Sequence, residues 1–378
     1  MPTAEGTTRR LVQLCVAYFL AYVVTGFSVK YFLGSPEQGF PGFKDMEFLV
    51  YGTASATLIP TLTSLWLRWY RMETQRMVSF LGLRFPVEYL YIIPSGICTA
   101  VVIPTTTLMY TLPISVMVAM IIMRGSVIVI SRLVDAVQIR QGILTKKVYG
   151  EENIAVLFAV GAIGVHMVQV KEGAFDFLHN TAAMVILGSY IVAYLIRIYI
   201  MNYYRNTTGR GAKRENKAFF AVEQISMYVA LMLAATLVFF SPTLFGWSAP
   251  QIELFRNAIL TPRAGWPWAS FWGASFGIVA FFSVFIFMFK GRTATFTGLV
   301  NRLTSLVAGT TVTLLFYALY GGKFPSMQDW ISLGFILVSI AFLTKAETRR
   351  ARELVAAREI AADPTTTAST PLRAVSAL

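Results

Sequence analysis

Two arginines stand deep inside apolar runs, Arg124 in MVAMIIMRGSVIVISRL and Arg302 in TATFTGLVNRLTSLVAGTTV. An arginine at the centre of a membrane-spanning helix costs roughly 2.5 to 3.5 kcal/mol on insertion scales, so such residues face a bundle interior or a wet cavity. A guanidinium suits phosphate or carboxylate because it offers planar, bidentate donors and a charge that is not lost at accessible pH. Two of them approaching from facing helices fit a doubly anionic group such as a pyrophosphate or a phosphomonoester. The competing reading is internal pairing or snorkelling. Arg124, Ile128, Ser131 and Asp135 share one helical face along which a relay toward Asp135 can run, and Arg132 with Asp135 at i, i+3 makes a simpler local pair.

Other polar groups in apolar runs are fewer. Glu223 lies beside Gln224, and a desolvated carboxylate on a cavity wall is a candidate carrier of a coupling proton. At a depth of only ~6 to 8 Å, an interfacial group paired with Lys217 or Arg214 is the plainer expectation. Thr105, Thr106, Thr107 and Tyr110 follow Pro104, which can kink a helix and free a carbonyl. Asn301, Thr304 and Ser305 adjoin Arg302. These groups offer neutral contacts to a polar substrate, with close helix packing as the default role of the hydroxyls, as for Gly273 and Gly277 in a G-x-x-x-G pair. The candidate substrate contacts are therefore Arg124, Arg302, Thr107, Tyr110, Asn301 and Ser305, with Glu223 as the coupling candidate. His166, without acidic or cysteine neighbours, reads as a hydrogen-bonded core residue before a ligand or pH switch. No metal-ligand cluster, phosphate-binding loop or grouped Ser, His and Asp occurs, and His166 and His179 leave little for acid/base work, so no enzyme, cofactor or metal is expected.

The elements that carry these residues follow from composition. Hydrophobic residues make up 56% of the 378 positions and charged residues 13%, and the apolar residues come in blocks of the ~20 residues that a ~30 Å bilayer core demands. Ten spans are predicted: Leu11 to Phe32, Met46 to Trp69, Val87 to Tyr110, Pro113 to Asp135, Asn153 to Val170, Asn180 to Tyr203, Phe219 to Phe240, Trp266 to Phe289, Ala294 to Tyr320 and Met327 to Leu343. With both termini cytoplasmic, 24 of the 32 Lys and Arg fall on the inner side, among them Arg9, Arg68, Arg140, Arg197, Arg205, Lys290 and Arg350; Lys30, Lys44, Lys171, Arg256, Arg263 and Lys323 fall outside. That asymmetry is the positive-inside bias, and it accounts for the net charge of +13 without nucleic acid. All seven tryptophans lie near span ends, where an aromatic belt sits. Cys15 and Cys98 fall within spans and read as small apolar packing. Arg9 and Arg10 precede an apolar run longer than a cleavable signal's core, so the first span is expected to be retained.

Ten spans with both ends inside divide into two sets of five in opposite orientations, an inverted repeat. Arg124 is 11 residues into span four from the outer side and Arg302 is 8 residues into span nine from the inner side, depths of ~16 and ~12 Å that a dyad in the membrane plane would generate. The organisation read from this is an all-α integral membrane fold of ten helices. Residues 1–150 hold spans one to four, 151–175 span five and an outer loop, 176–346 the second repeat, and 347–378 a basic cytoplasmic helix with a disordered tail. The outer segment Ser241 to Gly265 contains an amphipathic QIELFRNAIL that suits a short interfacial helix or a surface loop.

Arg124-Gly125-Ser126, in a span opening after Tyr110-Thr111-Leu112-Pro113, carries one half of a family likeness. Asn301-Arg302-Leu303-Thr304-Ser305-Leu306-Val307-Ala308, followed by Phe324-Pro325-Ser326-Met327-Gln328-Asp329-Trp330-Ile331, carries the other. These segments resemble the fourth and ninth-to-tenth spans of the drug/metabolite transporter superfamily, particularly its nucleotide-sugar transporter branch. The chain departs from that branch at Asn301-Arg302, where relatives often carry a threonine-rich approach and Arg-Lys, and in its long outer segment. The resemblance implies a secondary-active transporter working by alternating access around a midplane cavity, with nucleotide-sugars first among phosphorylated or anionic metabolites. A proton-coupled exporter of amphipathic, drug-like or lipid solutes is the second reading, resting on Glu223. A membrane scaffold or sensor without flux, its arginines paired internally, is the third. The expected partners are a small anionic substrate and membrane lipid.

Overall fold

A computed structural model describes residues 8–72, 74, 76–80, 82–111, 116–144, 148–165, 181–207, 216–289, 291–321 and 324–362. They form eleven α-helices: α1 (Thr8–Leu33), α2 (Asp45–Trp66), α3 (Tyr89–Thr111), α4 (Val116–Arg140), α5 (Gly150–Gly164), α6 (Thr181–Thr207), α7 (Asn216–Phe245), α8 (Pro250–Leu260), α9 (Trp266–Phe287), α10 (Ala294–Tyr320) and α11 (Met327–Ala362). Eight of them, α1, α2, α3, α6, α7, α9, α10 and α11, are long and apolar enough to cross a membrane. Of the other two expected spans, α5 is described over 15 residues and α4 carries Arg124, Arg132, Asp135 and Arg140. The chain is a multi-pass helical membrane protein. Helices suit that setting because each satisfies its own backbone hydrogen bonds where no water is present.

Side chains are distributed as a lipid solvent requires. Leu20, Leu62, Leu157, Val185, Leu233 and Leu237 are exposed, whereas Arg197, Glu223, Thr297, Asn301 and Ser305 are buried. Close approach of backbones supplies much of the packing. A Cβ on Gly273 of α9 would stand 2.4 Å from Gly52 Cα of α2, and one on Gly277 would stand 2.6 Å from the Ala56 carbonyl. This is the tight contact expected of the Gly273 and Gly277 pair, with α2 as its partner. Elsewhere α9 also packs on α1, α3 on α6 and α7, α10 on α1 and α4, α6 on α4, α2 on α7, and α5 on α11. The last pair is pinned by the hydroxyls of Ser332 and Ser339, which donate to the Ala162 and Ala155 carbonyls at 2.8 and 2.7 Å.

Three features differ from, or sharpen, the sequence expectation. Between α2 and α3 the chain forms a hairpin, β1 (Met77–Phe80) with β2 (Leu83–Pro86), paired antiparallel with Met77 opposite Pro86. Gly82 turns it at φ 80°, a conformation that glycine adopts at no steric cost. The amphipathic outer segment is a helix, α8, held to α2 where the Tyr51 hydroxyl donates to the Ala258 carbonyl at 2.9 Å. The basic segment after Leu343 is helical as far as Ala362, as a continuation of α11, which runs unbroken for 36 residues. Buried ion pairs at the end of the bundle where α5 and α10 begin tie it to its neighbours at that junction. Glu152 takes Arg350 at 2.6 Å and the Thr293 hydroxyl at 2.9 Å, while Glu347 pairs with Arg292 and accepts from the Thr8 hydroxyl at 3.0 Å.

Candidate functional site

Arg124 and Arg302 each lie eight residues past the first described residue of their helix, Val116 in α4 and Ala294 in α10. The Arg302 guanidinium carbon sits 5.3 Å from the centroid of the Tyr194 ring on α6. Tyr190, one turn earlier, has its ring 4.9 Å from that of Tyr194, and its hydroxyl donates to the Met123 carbonyl at 3.2 Å, beside Arg124. Tyr18 of α1 lies within electrostatic reach of both arginines. Its hydroxyl donates to Asn301 Oδ1 at 3.4 Å, and the Asn301 amide donates to Ser283 Oγ at 2.9 Å.

Helix periodicity relates the two guanidinia. A Cβ built on Gly309 would meet Arg124 Nη2 at 3.8 Å. Gly309 follows Arg302 by seven residues, two turns along α10 and ~20° around it, a separation of ~10 Å along the axis. Arg124 therefore reaches from α4 to the stripe of α10 that bears Arg302.

Not every expected contact joins them. The Ser305 hydroxyl donates to the Arg302 carbonyl at 2.8 Å, and that of Thr304 to Val300 at 2.7 Å, so both are spent on the backbone. Thr105 and Thr106 likewise bond to the Val101 and Val102 carbonyls at 2.7 and 2.6 Å, in the turn next to Pro104. Thr107 and Tyr110 belong to α3, but their side chains lie outside those described. His166 and His179 also lie outside the described residues. Asp135 does not serve as the end of a relay from Arg124, nor as the partner of Arg132. Its carboxylate accepts from the amides of Ala294 and Thr295 at 2.8 and 2.6 Å, capping the start of α10, because those amides have no partner within the helix.

Glu223 requires a larger correction. Its partner is Arg197 rather than Lys217: Arg197 Nε meets Oε1 at 2.9 Å and Nη2 meets Oε2 at 3.2 Å. Lys217 instead lies 5.2 Å from the Trp69 ring centroid, and Arg214 is outside the described residues. Oε1 also accepts from Ser95 Oγ at 2.8 Å and Thr99 Oγ1 at 3.3 Å, one turn apart on α3. The approach of α3 to α7 depends on Gly96, where a Cβ would stand 2.7 Å from the Glu223 carbonyl. Arg197, counted with the inner-face basic residues from sequence, is 6% exposed. Tyr190, Tyr194 and Arg197 fall at i, i+4 and i+7 on α6, so it shares the stripe that faces Arg302, and it is within electrostatic reach of Arg302.

The charges of this cluster do not balance. Among the described residues, Arg197 has Glu223, whereas Arg124 and Arg302 have no carboxylate at ion-pairing distance. Arg302 Nε is buried without a hydrogen-bond partner. Its stacking on Tyr194 contributes about 0.5 to 2 kcal/mol, less than the cost of holding a charge at that depth.

No family model matches the chain, and no curated protein does. Solved structures do. One, described as "Crystal structure of protein", superposes with a TM-score of 0.53 at 12% sequence identity, over 91% of this chain and 99% of that chain. The likeness is one of fold alone.

Proposed function

We propose that the chain is a secondary-active transporter of ten spans in two inverted five-helix repeats. It moves a phosphorylated or otherwise anionic metabolite by alternating access, with nucleotide-sugars first by resemblance. The observation that carries the substrate class is that Arg124 reaches the stripe of α10 that bears Arg302, neither guanidinium having a carboxylate at ion-pairing distance among the described residues.

The repeat draws support from the packing. Exchanging α1 with α6, α2 with α7, α3 with α9, α4 with α10 and α5 with α11 turns the α1–α9 contact into α6–α3, α2–α9 into α7–α3 and α1–α10 into α6–α4. The contacts α2–α7, α4–α10 and α5–α11 return to themselves. A two-fold axis acts in this way, and it also exchanges Arg124 with Arg302. Only α8 stands outside the scheme.

Uptake into liposomes of labelled nucleotide-sugars, sugar phosphates and amphipathic cations tests the proposal. Anion uptake that is lost with Arg302→Gln is the expected result. Proton-driven movement of the cations alone would favour the exporter, and no flux of any class would favour a scaffold.

A further inference from the structure

We propose that Glu223 fixes the charge of ligand that the arginine cluster accepts, by neutralising Arg197 and leaving two guanidinia uncompensated. The inference rests on the anion-site reading above and goes beyond it, because it assigns charge selectivity to a residue pair that need not touch the ligand. Arg302 lies over Tyr194, one turn before Arg197 on α6, Arg124 reaches the stripe of α10 that bears Arg302 at Gly309, and one carboxylate, Glu223, is bound to Arg197. In a site of low dielectric, a ligand whose charge cancels the remainder is favoured, and each unit of mismatch weakens binding roughly tenfold to a hundredfold. The balance here selects a doubly charged anion.

The geometry separates this role from that of a scaffold alone. Glu223 Oε1 accepts from Arg197 Nε, Ser95 Oγ and Thr99 Oγ1, so its charge is stabilised independently of any ligand. Arg197 uses Nε and Nη2, one bidentate edge of its guanidinium, on the carboxylate. Glu223 acts through Arg197 and is a positioning and charge-setting residue.

The test uses purified full-length protein in detergent and three probes that share one base and sugar. These are a cyclic uridine monophosphate, uridine monophosphate and uridine diphosphate, with about one, two and three negative charges near neutral pH. Affinity is read from thermal stabilisation across ligand concentration. Wild type should prefer the doubly charged probe. Glu223→Gln, purified with uridine diphosphate present, should shift its preference toward that triply charged probe by roughly tenfold or more. The double variant Arg197→Gln/Glu223→Gln, which removes one charge of each sign, should return to the wild-type order.

An unchanged order in folded Glu223→Gln overturns the inference while leaving the anion site standing. So does recovery of the double variant but not of Glu223→Gln under those conditions, because the extra ligand charge then fails to stand in for the carboxylate. Wild-type protein that melts identically with and without all three probes overturns the anion-site reading, and the inference falls with it.

Discussion

Arg302 combines a fixed charge with a flat fork, and the two properties separate under substitution. Lysine keeps the charge but loses the bidentate geometry and the stacking on Tyr194. Arg302→Lys is expected to fold normally and to transport anions about tenfold less efficiently, whereas Arg302→Gln, lacking charge-assisted contacts of ~1.5 to 3 kcal/mol, should abolish anion flux. Internal pairing predicts the opposite split, with a lower melting temperature and unchanged flux per folded molecule; paired melting and liposome assays distinguish them. Arg124 and Arg302 are legible in the sequence because a charge amid twenty apolar residues has few excuses. Arg197 is not, since it lies six residues before the expected end of its span, where an arginine snorkels to the interface as readily as it turns inward. Glu223 is visible as a polar intrusion, but its partner is on another helix, and periodicity along one helix does not reveal the rotation of the next.

Helices pack here through a few close contacts and one charged junction, and each has its own failure mode. Gly273→Ala would drive a methyl group to 2.4 Å from Gly52 Cα, so α9 and α2 must separate. Overpacking of this kind costs about 1 to 3 kcal/mol, and a melting temperature within error of wild type would refute the contact. At the opposite kind of joint, Glu347→Gln leaves Arg292, 4% exposed, without its carboxylate, while Arg350 keeps Glu152. Removing one partner of a buried pair costs about 3 to 5 kcal/mol, so this variant should melt well below wild type, and retention of wild-type stability would mean that water reaches the junction. Hydrophobic periodicity locates these helices well, down to the ends of α10 at Ala294 and Tyr320. It misses the hairpin at Met77–Pro86 and the continuity of α11, because short strands and paired charges in a polar stretch carry no apolar signature.

Across the whole molecule, the distribution of basic residues predicts which side faces the cytoplasm. In a cysteine-free background, single cysteines at Gln251 and Ser326 should react with an impermeant reagent from outside, and those at Gln141 and Arg352 should not. All four positions are exposed, so a silent site reports its side of the membrane and not its burial. Outside labelling at Gln141 would invert or break the topology. The inverted repeat makes a separate demand, that helices α1 to α5 superpose on α6, α7, α9, α10 and α11 about an axis in the membrane plane in an experimental structure.

The unbroken α11 has a mechanical consequence. Its 36 residues extend ~54 Å, while the hydrocarbon core occupies ~30 Å, so ~24 Å projects beyond it as a rigid lever arm. A tilt of about 10° about the far end sweeps the tip through ~9 Å. A fluorophore at Ala362 would thus magnify small rotations of α11 into a distance change that energy transfer to a second dye can follow as ligand is added.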